Sequence, residues 1–186
     1  MNTLAHDLAA GGAGLAAGLI NAVAGGGTLV SFPVLVALGV PSVHANVTNT
    51  VALCPGYLGG SFAQRSVLTR QVGRLKALAI VAGLGGLLGS ILLVLSPEKL
   101  FRNLVPYLIF TACALLAVQP LLKRLFGRQR AVAEGTRSPI LPLAIFLCAV
   151  YGGYFGAGLG IMLLAVLGIA LDDPLPKSNA LKQALS

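Results

Sequence analysis

Five long apolar segments, separated by short charged stretches, limit the folds available to this chain. They lie at 8–39, 43–62, 74–95, 103–122 and 139–171, and the only charged side chains in them are Arg74 and Lys76. Of the 186 residues, 56% are hydrophobic and 10% are charged, whereas a soluble domain has roughly 45–50% apolar and about 25% charged residues. Such a chain cannot cover its surface with polar groups in water. The sequence therefore predicts an all-α fold, a polytopic bundle of transmembrane helices.

Two of these segments are too long for a single crossing. About 20 apolar residues cross a bilayer core, but 8–39 and 139–171 contain 32 and 33 residues, and one helix of that length would reach about 50 Å. Glycines interrupt them at 25–27 and 156–160, and each piece after the interruption is too short to cross alone. The other three segments fit single crossings in length, although 43–62 is unusually polar. We therefore predict two discontinuous or re-entrant helices.

Positive charge is concentrated in the stretches 63–76 and 123–138. The net charge of +8 would suit nucleic-acid binding in a soluble protein, but no aromatic side chains interleave with the bases, as a nucleic-acid groove requires. Basic loops of membrane proteins remain in the cytoplasm. We therefore predict that both stretches are cytoplasmic loops, that 96–102 is an outer loop, and that nucleic acid is not a partner.

The sequence matches itself when it is shifted by 133 residues. Seven positions are identical: Ala24, Gly25, Gly27, Ala37, Leu38, Pro41 and Asn46 match Ala157, Gly158, Gly160, Ala170, Leu171, Pro174 and Asn179. Repeats with broken helices at corresponding positions indicate the binding site of a transporter. We predict a first repeat unit at 1–133 and an incomplete second unit at 134–186. If the interrupted segments are hairpins the units are inverted, and if they cross once the units are parallel; their length favours hairpins.

The second unit contains only the beginning of the counterpart of the polar segment 43–62, at Lys177–Ser186. A helix that ends in mid-membrane leaves carbonyl groups without partners, so we expect about 60–70 further residues in a complete second unit. We also expect that these 186 residues alone do not transport.

Two stretches resemble the sulfite exporter TauE/SafE family. They are AGLINAVAGGGTLVSFPVLVALGVPSVHANVTNTVAL at 17–53 and GGYFGAGLGIMLLAVLGIALDDPLPKSNALKQAL at 152–185. The family has two Gly-rich motifs, each followed by a short helix, and a Gly-x-Pro turn, here Gly39-Val40-Pro41. Val23 replaces the usual first glycine, and Leu159 replaces the middle glycine of the second copy. The resemblance implies a multi-pass protein of the cell membrane, the inner membrane of a bacterium, which exports or takes up sulfite, sulfonates or other organosulfur anions.

The candidate substrate-binding residues lie at the two interruptions and in the polar segments after them. Unwound backbone presents free N–H groups, and a helix N-terminus carries about half a positive charge, so an oxyanion can bind there. The candidates are Gly25, Gly26, Gly27, Thr28, Asn46, Asn49, Thr50, Gly158, Gly160, Asn179 and Lys182, with Asn21 as a weaker one. Hydrogen bonding between helices is the alternative for the amides. For Lys182 the alternative is an anchor that reaches the membrane interface, and for the glycines it is close packing.

No segment carries the residues of an enzyme. Pairs of carboxylates, Cys/His pairs and metal-ligand clusters do not occur in the apolar segments, and Cys54, Cys113 and Cys148 are widely separated. We therefore expect no catalysis and no cofactor, and we expect a small anion and the lipid bilayer as partners. All five acids lie between apolar runs, which predicts that any coupling uses no intramembrane carboxylate here. A non-transporting scaffold or subunit and an anion channel remain alternatives, and a homo-oligomer is compatible with the sequence.

Overall fold

The computed structural model describes residues 3–23, 26–127, 140–171 and 173–186, and these residues form α-helices with short connections and no strand. This confirms the all-α prediction. The helices of the described part are α1 (Thr3–Val23), α2 (Thr28–Ala37), α3 (Ser42–Ala63), α4 (Arg65–Leu68), α5 (Val72–Leu95), α6 (Glu98–Gly127), α7 (Ile140–Tyr154), α8 (Leu159–Ala170) and α9 (Leu175–Leu185). A 3-10 turn, Thr69–Gln71, leads from α4 into α5.

Both overlong segments divide at their glycines, as predicted. The segment 8–39 falls within α1 and α2, and the segment 139–171 becomes α7 and α8. We call the connections between these helices the first break (24–27) and the second break (155–158). Helices α2, α7 and α8 contain 10, 15 and 12 residues, fewer than the roughly 20 that a crossing requires. They therefore have the lengths of half-helices.

Two of the predicted loops are wrong in the described part of the chain. The stretch 63–76 contains α4, the 3-10 turn and the start of α5. The stretch 96–102 is reduced to Ser96 and Pro97, since α6 begins at Glu98. Glu98 is not a loop acid, because its carboxylate accepts a hydrogen bond from the backbone N–H of Val43, at 3.2–3.3 Å. The first turn of α3 leaves N–H groups without helical partners, and Glu98 satisfies one of them.

The outer surface of the helices is apolar. Within the described residues, one helical stretch, Arg65–Leu95, is long and apolar enough to cross a membrane, and only 28% of its apolar window is buried. Leu84, Leu87 and Val94 of α5 are exposed. A core helix of a soluble protein would bury most of this surface. The exposed apolar face therefore suits contact with lipid.

The first break reverses the chain. A Cβ atom on Gly27 would collide with the carbonyl oxygen of Ala17 and would lie 2.9 Å from Cβ of Asn21. The start of α2 therefore lies against the last two turns of α1, as in a helical hairpin. Whether the units are inverted or parallel, and their boundary near residue 133, stay predictions.

Glycines also bring α5 and α7 together. A side chain on Gly89 would collide with the backbone carbonyl of Val150, and one on Gly153 would collide with that of Gly86. Small residues spaced in this way let two helix backbones approach closely in a membrane. The pair α5 and α7 consequently forms a wall beside both breaks.

Candidate functional site

The first break carries a cluster of buried polar side chains from α2 and α3. Ser31 Oγ donates a hydrogen bond to Asn49 Oδ1 at 2.6 Å, and the backbone carbonyl of Gly27 lies 3.3 Å from the same hydroxyl. Thr28, Ser31 and Asn49 are each less than 5% exposed. Thr28 Oγ1 and Asn49 Nδ2 have no hydrogen-bond partner among the described residues. A buried unpaired donor is unfavourable by about 1–3 kcal/mol, so these two atoms suit a polar ligand.

Lys182 of α9 points into the same region and is completely buried, with 0% exposure. Its Nζ atom donates to the backbone carbonyl of Asn21, in the last turn of α1, at 3.4 Å. Because Lys182 is fully buried, it does not extend to the surface of the described structure as an interfacial anchor would. A buried ammonium is unfavourable by several kcal/mol unless a negative charge accompanies it.

The charged partners of the described chain do not include Lys182. Asp173 forms the described ion pairs, with Arg74 at 2.6 Å and with Lys177 at 3.7 Å. The contact of Lys182 with the Asn21 carbonyl supplies only the partial charge of a helix C-terminus. Lys182 is therefore a buried cation without a carboxylate partner in the described part of the chain.

The second break is built on left-handed glycines. Gly156 and Gly158 have φ angles of +75° and +82°, which a residue with a Cβ atom adopts only with strain. A Cβ on Gly156 would lie 3.2 Å from Thr50 Oγ1 and 3.9 Å from Asn46 Oδ1. Asn46 Nδ2 also donates to the carbonyl of Tyr154 at 3.1 Å. The polar helix α3 therefore lies directly against the second break.

The two breaks are neighbours in space. A Cβ atom on Gly26 would lie 2.8 Å from Cδ1 of Ile161, near the start of α8. The rings of Phe32 and Phe155 meet edge to face with centroids 5.3 Å apart. These contacts bring the start of α2 and the second break to one junction.

The polar helices contact the breaks in a crossed pattern. Asn46, on α3, donates to the carbonyl of Tyr154 at the end of α7. Lys182, on α9, donates to the carbonyl of Asn21 near the end of α1. Asn21 and Tyr154 are separated by 133 residues, which is the offset of the sequence repeat. Each polar helix therefore reaches the broken segment that belongs to the other half of the repeat.

A cavity of about 390 Å³ lies beside this junction. Thr28 lines it from the first break, Gly156 from the second, and Thr50 and Tyr57 from α3. The remaining wall consists of small and apolar residues: Leu53, Ala79, Ala82, Gly83, Gly86, Leu87, Ser90, Ala149, Gly152, Gly153, Leu159, Ala184, Leu185 and Ser186. This volume lies in the range of small-molecule sites, which are mostly apolar with a few polar groups.

The structure gathers most of the predicted site residues at this junction. Gly26, Gly27 and Gly160 are buried there, whereas Gly158 packs against Ala112 of α6. Asn179 is half-buried, and its Oδ1 atom has no partner among the described residues. Gly25 lies outside the described residues.

Four residues beyond the predicted set also belong to the junction: Ser31, Tyr57, Gly156 and Gln183. Ser31 lies one helical turn after Thr28, a spacing that could have identified it. Gly156 corresponds to Val23 in the repeat, so the search for identities passed over it. Tyr57 donates from its hydroxyl to Asn21 Oδ1 at 3.3 Å, a contact that has no local sequence signal.

Comparison with known proteins finds named membrane transporters. The probable membrane transporter protein ORF9 of Sinorhizobium sp is 26% identical over 162 residues, covering 82% of this chain and 59% of that protein. The probable membrane transporter protein of Haemophilus influenzae is 29% identical over 170 residues, covering 90% and 64%. The probable membrane transporter protein YfcA of Escherichia coli K12 is 26% identical over 153 residues, covering 77% and 52%. This chain therefore spans between about half and two thirds of the length of these relatives.

No solved structure matches this chain significantly. The sequence profile of the sulfite exporter TauE/SafE family, in contrast, matches residues 10–186, almost the whole chain. That match agrees with the Gly-rich breaks, the apolar outer surface and the named relatives. The chain belongs to the sulfite exporter TauE/SafE family of membrane transporters.

Proposed function

We propose that this protein carries small anions of the sulfite and sulfonate class across the cell membrane, and that the anion binds between the two breaks. The observation that supports this most directly is Lys182, a completely buried cation without a carboxylate partner in the described part of the chain. An anionic substrate at the first break would supply the missing negative charge. Membrane-buried charges of this kind usually belong to a transport pathway.

The polar groups around the first break suit an oxyanion. Thr28 Oγ1 and Asn49 Nδ2 are buried donors without partners in the described residues, and both can donate to an anionic oxygen. Gly27 begins α2 without a side chain that caps its first N–H groups. These free N–H groups and the helix dipole add positive potential at the same place.

A channel and a non-transporting subunit are the competing functions. Two buried donors and an unpaired cation at one junction favour a binding site over a pure packing role. They do not distinguish a carrier from a channel, so the experiment must. A carrier exchanges bound anions one for one and saturates, whereas a channel conducts without saturating at low concentration.

The test is flux in proteoliposomes, measured with radiolabelled sulfite and methanesulfonate, with dimethyl sulfone as a neutral analogue of similar shape. We expect saturable uptake of the anions, mutual competition, and no competition by the neutral analogue. Lys182→Met should abolish the flux, because losing one partner of a buried charge pair is worth about 2–5 kcal/mol. Lys177→Met on the same helix is the matched control, since Lys177 is half-exposed and its ion pair contributes only about 0–1 kcal/mol.

Calorimetric titration of the purified protein with the same anions gives a second measurement that does not depend on transport. Binding to the wild type and to Lys177→Met, but not to Lys182→Met, is the expected result. Equal anion binding by the wild type and Lys182→Met would contradict the proposed site. Absence of both binding and flux for every anion would contradict the proposed function.

A further inference from the structure

Lys182 has an environment that distinguishes it from the other described bases. The described carboxylates are engaged elsewhere: Asp173 pairs with Arg74 and Lys177, and Glu98 accepts from the N–H of Val43. The ammonium form of Lys182 is therefore favoured only when another anion lies beside it. A lysine in such a place can lose its proton, whereas an arginine stays charged.

The helices around Lys182 carry no carboxylate that could take the place of this anion. Helices α3, α4, α5 and α8 pack against α9, and none of them contains Asp or Glu. Their titratable side chains, with those of α9 itself, are His44, Cys54, Tyr57, Arg65, Arg74, Lys76 and Lys177. Helix α1 carries His6 and Asp7 at its opposite end, about 20 Å along the helix from Asn21.

The hydrogen bond of Lys182 suits both protonation states. Its Nζ atom donates to the backbone carbonyl of Asn21 at 3.4 Å, and a neutral amine can donate to that carbonyl as well as an ammonium can. Tyr57 holds the side chain of the same Asn21 through its hydroxyl, at 3.3 Å. The end of α1 therefore has a fixed acceptor for Lys182 whether or not an anion is present.

We infer that Lys182 gains a proton as the anion binds and returns it as the anion leaves, so that one proton crosses the membrane with each anion. This inference rests on the proposed function, because it needs the anion at the first break. On one side the lone pair of the amine takes a proton from water, and the ammonium pairs with the anion. On the other side the N–H bond breaks, and the proton and the anion leave together. No electron is transferred, and the net movement carries no charge for a monovalent anion.

The experiment follows protons and anions in the same proteoliposomes. Methanesulfonate is the probe, because it stays ionised near neutral pH, whereas sulfite takes up protons in solution and would hide those of the protein. The membrane potential is clamped at zero with potassium and valinomycin, and a dye reports the internal pH. We expect an inward methanesulfonate gradient to acidify the interior, and a gradient of about one pH unit to accumulate the anion about tenfold.

Lys182→Arg separates the charge from the proton. This variant keeps a cation for the anion but cannot release it, so exchange of internal for external methanesulfonate should remain within a few fold of the wild type. Accumulation driven by the pH gradient, and the dye response, should both disappear. Lys177→Arg is the matched control and should retain exchange, accumulation and acidification.

The outcomes separate this inference from the proposed function. Methanesulfonate flux by the wild type without acidification would overturn the proton coupling and leave the anion site standing. Continued accumulation by Lys182→Arg in a pH gradient would also overturn it. If Lys182→Arg does not fold, the acidification measured with the wild type still decides. Neither binding nor flux of any anion by the wild type would contradict the proposed function and with it this inference.

Discussion

The two breaks occupy corresponding places in the sequence and are built from different chemistry. The first break is polar: Thr28, Ser31 and Asn49 are buried beside it, and Lys182 reaches its α1 side. Its last glycine, Gly27, has an ordinary helical conformation. Close contact with α1, rather than an unusual backbone angle, therefore demands a glycine at this position.

The second break is apolar and depends on backbone conformation. Gly156 and Gly158 adopt left-handed φ angles, and the side chain between them and α2 is Phe155, which is fully buried against Phe32 and Phe101. Tyr151 braces this break by donating from its hydroxyl toward the carbonyl of Ala157 at 2.9 Å. The polar contacts of the second break come from α3, not from α8.

This difference shows how a repeated chain can make an asymmetric site. Asn49 and Lys182 lie 133 residues apart, so the same position of the repeat carries an amide in one half and a cation in the other. Two equal halves would place equal charges on both sides of the junction. With one cation, the positive charge is concentrated at the first break, and the second break supplies shape.

Gly27→Ala should produce the largest effect, because it removes the contact that closes the first break. The added methyl group would collide with the carbonyl of Ala17, and neither backbone can move without opening the α1–α2 hairpin. We expect destabilisation by about 3 kcal/mol or more, the upper range of overpacking. Thermal unfolding in detergent, followed by circular dichroism, measures it.

Gly18→Ala on α1 is the matched control for this prediction. Gly18 lies in the middle of the helix with no atom within 4 Å of an added Cβ. Alanine there should leave stability unchanged or raise it by about 0.5–1 kcal/mol, because alanine favours the helix. Equal destabilisation by both substitutions would mean that the first break does not depend on close contact.

The helices and the breaks could be predicted from the sequence because they depend on local signals. Apolar length indicates a helix, and a run longer than a crossing with glycines inside it indicates a break. The loop at 63–76 could not be predicted in the same way. Its Arg65 to Gln71 continue as helical turns because Leu68 packs into the apolar core, with Leu78 and Leu185 as partners.

The site was predictable in its residue types and not in its pairings. Repeat matching and polarity identified Asn46, Asn49 and Lys182, but the crossed contacts with Tyr154 and Asn21 depend on how the helices pack. Residues more than 100 positions apart meet there, and no local pattern encodes such a meeting. The binding roles of these residues stay predictions.

Asn46 and Asn49 should differ in what they support, although they lie one turn apart on α3. Asn46→Leu leaves the Tyr154 carbonyl at the end of α7 without its donor, so we expect a loss of stability of about 1–3 kcal/mol. Asn49→Leu removes an unpaired donor, and Ser31 still has the Gly27 carbonyl as an acceptor. Its stability should change by less than about 0.5 kcal/mol.

The anion affinities should follow the opposite order. Asn49→Leu should weaken methanesulfonate binding about 10–100-fold, since a hydrogen bond to a charged group is worth about 1.5–3 kcal/mol. Any loss of affinity in Asn46→Leu should follow its lower stability and recover at lower temperature. Calorimetric titration of both variants checks this. If Asn49→Leu lowers only stability, its amide is a packing group and the first break is not the binding side.

The tyrosines that brace the two breaks should give the smallest effects. Tyr151 has the carbonyls of Leu108 and Ala157 at 3.1 and 2.9 Å from its hydroxyl, whereas Tyr57 contacts Asn21 Oδ1 at 3.3 Å. We expect Tyr151→Phe to lower stability by about 1–1.5 kcal/mol and Tyr57→Phe by about 0.5 kcal/mol.

The functional order of these variants should be the reverse, because Tyr57 lines the cavity and holds the residue that Lys182 contacts. Tyr57→Phe should therefore weaken methanesulfonate binding a few fold, while Tyr151→Phe leaves it unchanged in the folded protein. Tyr107→Phe, at an exposed position of α6, controls for loss of a hydroxyl group and should change neither quantity. Unfolding and titration of the same three preparations make the comparison. A larger loss of affinity in Tyr151→Phe than in Tyr57→Phe would move the binding role to the second break, because the anion would then sense the left-handed glycines rather than the buried lysine.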